Sequence, residues 1–194
     1  MLSQSEMVTP LFIANERFDA ADGEKWSKYL EWSKIPHLAE IVSLDLSLCP
    51  RLITNFSDED WNHIVCEDFR LGYFYHLDYL KQRVQDMTRV NILGVYRNSE
   101  THITTPPASA PFSFIGYDLI EEQTQISALT NCGGFSDVFR NDELNRFGLL
   151  EGFSRAKVIR RHLVECYPNE PHANCELYAL WRLHDSASDH EPAA

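Results

Sequence analysis

The chain has 194 residues, 44% hydrophobic and 24% charged, a size and composition that fit one globular domain and exclude a disordered or low-complexity chain. Its 29 acidic residues outnumber 17 basic ones, for a net charge of −12. That field repels phosphate backbones and anionic lipid, so nucleic acid and membrane surfaces are excluded as partners and a basic protein is favoured.

No segment approaches the roughly 18 apolar residues of a membrane span. The N-terminus has neither the basic start nor the apolar core of a signal peptide. Five scattered cysteines, Cys49, Cys66, Cys132, Cys166 and Cys175, read as reduced thiols of a soluble, cytoplasmic protein. Residues 1–185 read as a single globular domain and 186–194 as a flexible tail.

In chain order, the first twenty residues match no single element. A helix follows from Asp22 to the stop at Pro36, with Trp26, Tyr29 and Leu30 on one face. Residues 43–49 alternate polar and apolar as a half-buried strand. Ser57 followed by Asp58, Glu59 and Asp60 predicts a helix start carrying Trp61, Ile64, Val65 and Phe69. After Gly72 a second helix runs through Leu77, Leu80 and Val84.

Residues 91–96 predict a buried strand. Residues 98–111, with three prolines, form one long loop, a length associated with lids or with mobility. Residues 112–120 and 125–130 predict an antiparallel hairpin. Short helical turns at 136–139 and 142–146 precede the clearest helix, from Ser154 to Tyr167, with Ala156, Ile159, Leu163 and Cys166 as its inner stripe. Residues 176–183 are apolar on both faces, as in a central strand. The expected fold is α+β: a largely antiparallel sheet of about five strands with helices packed on one side.

Several groups of residues could carry chemistry. Asn131-Cys132-Gly133-Gly134, at a strand end, could expose a thiol beside backbone N–H groups that bind an oxyanion. His172 is the candidate base and Asp118 a candidate carboxylate. A tight turn with an inward-packed cysteine explains the same residues more simply.

His162, Cys166, His172 and Cys175 offer a two-histidine, two-cysteine zinc set, although their order and spacing match no common finger. No other cofactor is implied. Arg155, Lys157, Arg160 and Arg161 make the last helix basic, as expected of a solvated helix face. Asp118 interrupts an apolar strand and is expected on that strand's wet face.

No strong catalytic, metal or nucleotide motif is present. The reading that follows is a non-enzymatic protein-binding or regulatory module of the inhibitor or immunity type. The alternatives are a cysteine-dependent hydrolase or transferase using Cys132, and a zinc-binding protein.

Overall fold

The computed structural model describes residues 9–42, 44, 57–65, 72–84, 86–97, 101–121, 126–130, 137–170 and 173–184. Its elements are β1 (Leu11–Glu16), β2 (Phe18–Asp19), α1 (Glu24–Ser33), β3 (Glu40–Ile41), α2 (Leu77–Arg83), β4 (Val90–Tyr96), β5 (Phe112–Glu121), α3 (Phe153–Cys166) and β6 (Cys175–Leu183). Four strands form an antiparallel sheet in the order β1-β4-β6-β5, and β2 and β3 form a separate antiparallel pair. The class is α+β, as expected.

The two sheet faces are covered differently. Trp26 of α1, Leu80 of α2 and Ala156, Ile159 and Leu163 of α3 all pack with Ala14, Ile92, Leu119, Leu177 and Ala179 on one face. The opposite face, carrying Ile13, Leu93, Val95, Ile120 and Leu180, is covered by Val42, Leu44, Val65, Tyr73 and Leu149 from outside the helices and the four-stranded sheet. Strands buried on both faces need continuous apolar runs. This explains why β4 and β6 were legible: β6 lies inside the sheet, between β4 and β5.

Several expectations are corrected. The ambiguous N-terminal segment contains β1, an edge strand paired with β4. The helix expected from Asp22 begins at Glu24, because Asp22 closes a 3-10 turn in a reciprocal cap with Asp19. It ends at Ser33, where Lys34 turns left-handed.

The helix expected after Ser57 is only a 3-10 turn, Asp60–Asn62, and Ile64 is already extended, bridging Phe74. Of the strand expected at 125–130, residues 126–130 return antiparallel to β5, with a single bridge among the described residues, Ile120 to Ser127. The chain then turns, burying Leu129 and giving the Thr130 carbonyl to the Tyr29 hydroxyl at 2.9 Å. The strand expected at 43–49 and the tail at 186–194 lie outside the described residues, except for Leu44, which is buried.

Residues 101–111 are packed down on the helix-bearing side. Pro107 is buried against Gly94 of β4, where a Cβ would stand 2.2 Å from the proline Cγ. The Tyr96 hydroxyl donates to the Thr105 carbonyl at 3.1 Å, and the Tyr117 hydroxyl meets His102 Nδ1 at 2.6 Å. Gly94→Ala is expected to lift this segment and destabilise the fold by about 1–3 kcal/mol. The checks are a lower urea midpoint and faster proteolysis within 101–111.

Glu40 lies almost buried on β3. It receives Arg17 through two bonds of 3.1 and 3.2 Å, Arg182 at 3.0 Å and the Asn91 amide at 2.6 Å. Glu40→Ala leaves two guanidiniums without their carboxylate. It is expected to cost about 3 kcal/mol, read as a fall in denaturant midpoint.

Candidate functional site

The structure places only part of the residue set expected to carry chemistry. Cys132, Asn131, Gly133, Gly134 and His172 lie outside the described residues. Asp118 is fully buried, which corrects the expected wet face. Its strand alternation is intact, but the face it points to is the one covered by loops.

Asp118 Oδ1 accepts the Leu119 N–H at 2.8 Å and the Ser127 hydroxyl at 2.6 Å. Ser127 Oγ in turn accepts the Leu129 N–H at 3.2 Å. The carboxylate therefore closes the bend that follows β5. Its register partner, Tyr178, is buried beside it. Burial pushes the Tyr178 phenol up to about 12; Arg97 opposes that shift and Glu176 adds to it.

Of the zinc set, His162 and Cys166 are exposed on α3 and Cys175 is buried in β6. Cys166 is thus off the inner stripe, which ends at Leu163; the next residue to pack against the core is Tyr167, just past the helix. Among the described residues no group of three or more His, Cys, Asp and Glu side chains could hold a metal ion. No helix among them is long and apolar enough to cross a membrane.

The basic helix face is only partly solvated. Arg155 grips Glu143 through bonds of 2.5 and 2.9 Å, and Arg160 donates to the Cys175 carbonyl at 2.8 Å. These arginines tie α3 to the turn before it and to β6.

A different set of side chains stands out at the β1 edge. Ser57-Asp58-Glu59-Asp60 resembles a helix cap in sequence, yet the roles are reversed. Asp60 is fully buried and accepts the Ser57 N–H at 2.7 Å and its hydroxyl at 3.0 Å. It also accepts the Tyr79 hydroxyl at 2.9 Å and Arg83 at 2.7 and 3.0 Å. Tyr79 and Arg83, four apart on α2, share the face that makes this possible. Burial alone would raise the Asp60 pKa. The bonds from Ser57, Arg83 and Tyr79 outweigh burial and hold it below the usual carboxylate value.

This clamp carries a group of rings. His63 stacks on Tyr79 with centroids 3.7 Å apart, and His76 meets His63 edge-on at 6.1 Å. The Tyr75 N–H donates to the His63 carbonyl at 3.0 Å. Ile64 and Phe12 both bridge Phe74, joining the platform to β1. Trp61 is 48% and Tyr75 47% exposed, and Asp58, Glu59 and Asp78, within three residues of one ring or the other in the chain, are exposed carboxylates. The sequence signal was present in Tyr79 and Arg83, but their acid partner lies 19 and 23 residues away.

Comparison with known proteins adds no relative: no family model matches the chain, and no curated protein or solved structure matches it. The geometry must carry the functional reading by itself.

The Asp60 clamp has a testable pH signature. A carboxylate with a lowered folded pKa stabilises the fold above its unfolded value, near 3.9, and loses that contribution as pH falls through the folded value. Asp60→Asn is therefore expected to be clearly less stable than the parent at pH 7. The gap should narrow below about pH 4, as measured by urea unfolding across that range.

Proposed function

We propose that this protein is a non-enzymatic binding module that docks a basic protein partner on the Asp60 platform. The observation that carries the reading is the two half-exposed rings on either side of the Asp60 clamp in the chain, Trp61 directly after Asp60 and Tyr75 bonded through its backbone to His63, with the exposed acids Asp58, Glu59 and Asp78 close to them in sequence. Tryptophan and tyrosine are the side chains that most often anchor protein interfaces, and a rigid support lowers the ordering cost of binding.

Asp58, Glu59 and Asp78 share the sign of the whole chain. A basic partner is then steered from a distance, and that contribution weakens as salt screens it over roughly 10 Å at 0.1 M. Action as an inhibitor or immunity-type regulator would follow from covering the partner's own site, with no chemistry required of this chain.

The test is the doubly substituted chain, Trp61→Ala with Tyr75→Ala. Both side chains are half exposed, so the melting temperature should change little. Affinity for a partner purified by co-elution is expected to fall at least tenfold, about 1.4 kcal/mol or more. Parent binding should weaken steeply with added salt. Trp32→Ala, at an exposed ring on α1, serves as the control and should bind as the parent does. Equal affinity of the double variant and the parent would overturn the reading.

A further inference from the structure

Among the described residues five large apolar side chains stand exposed, and four of them fall into two pairs. Trp61 and Tyr75 belong to the acidic platform. Val158 and Val164, 37% and 50% exposed, lie on α3. The fifth, Trp32, sits on α1 against the Tyr29 ring.

Helical spacing sets what accompanies the valines. Ala156, Ile159 and Leu163 turn inward, which leaves Val158, Arg161, His162 and Val164 outside. Arg161 stands three residues from each valine, so the three side chains are neighbours on the outer surface. Arg155 is held by Glu143, and Arg160 by the Cys175 carbonyl. Arg161 has no such bond among the described residues, and His162 beside it is also exposed. With Glu165 as its single acid, α3 carries four lysine and arginine residues in a chain of net charge −12.

This face complements the platform. One surface offers basic and aliphatic groups; the other carries two aromatic rings and the exposed acids Asp58, Glu59 and Asp78. Aromatic rings are enriched at interfaces, and a guanidinium suits carboxylates. A single chain cannot join the two surfaces. α3 packs on β5 and β6, whereas the platform is bridged to β1 at the other edge of the sheet.

We propose that the outer face of α3 docks on the Trp61–Tyr75 platform of a second copy of this chain, covering it until a more basic protein displaces it. The assignment rests on the docking reading above and adds self-association as its regulation. Different surfaces meet, so the contact is head-to-tail and grows beyond a dimer unless a ring closes. It is also weak. A 14-residue helix presents a strip of about 21 by 10 Å, well short of the roughly 800 Å2 a side of a stable interface. Two copies of charge −12 also repel at long range, which lets a basic partner compete.

Sedimentation velocity of the full chain from about 10 μM to 1 mM reads the contact directly. The parent is expected to associate reversibly, its mean mass rising with concentration. Arg161→Glu, and separately Trp61→Ala with Tyr75→Ala, should each raise the dissociation constant at least tenfold. All three side chains reach the surface, so the fold should be kept, and Trp32→Ala should associate as the parent does. Mixing the two defective chains leaves one intact contact per pair, so a one-to-one dimer and nothing larger is expected. The proposal is overturned by a parent that stays monomeric throughout, by self-association unchanged in either variant, or by a mixture that stays monomeric. The docking reading is judged separately: tenfold weaker capture of a co-eluting basic partner by the doubly substituted platform sustains it even where the parent is monomeric.

Discussion

Glu40 holds together parts of the chain that no local interaction could join. It sits on a two-residue strand outside the main sheet, and its carboxylate takes a donor associated with each of three neighbouring strands. Arg17 follows β1, Asn91 opens β4 and Arg182 nears the end of β6. A carboxylate so nearly removed from water is stable only with this many donors. Such a group specifies an arrangement more than it adds net stability, because its desolvation offsets much of the attraction. Here the arrangement specified is the seating of the β2–β3 pair on the sheet. The arginines continue outwards from it: Arg89, just before β4, binds Asp19 of β2 and Asp22, and Arg182 also lies over the Phe147 ring.

The same seating explains the asymmetry of the sheet. Helices cover one face and irregular segments the other. Irregular segments cannot satisfy their own backbone as helices do, so that side recruits polar side chains into buried and half-buried positions. Asp118 closes the bend after β5, Asn145 holds the 145–149 turn, and Glu40 fixes β3. Each is an acceptor aimed at N–H or O–H groups within reach.

The two edges of the sheet are finished on one principle. At each, a fully engaged polar side chain fixes a short irregular segment: Asp60 beside β1 and Asn145 beside β5. The Trp61 and Tyr75 rings, exposed beside the Asp60 clamp, are therefore held in place before a partner arrives. Preorganisation of this kind suits recognition, where the cost of ordering a surface is subtracted from affinity.

Local pattern determined a definite share of this protein. Continuous apolar runs marked β4, β5 and β6, three- and four-residue spacing marked α2 and α3, and the mixture fixed the α+β class. Composition fixed the acidic charge. The tertiary structure decided the rest, for a consistent reason. β1 is an edge strand whose partner begins some 75 residues later. Asp60 was read as a helix-cap neighbour because Ser57 is local to it, while Tyr79 and Arg83 are not. Asp118 alternates as a water-facing residue, yet other segments cover that face. Glu40 gave no signal at all, since its partners lie 23, 51 and 142 residues away. Side-chain periodicity records what a segment needs from its surroundings; only the folded chain determines which distant residue supplies it.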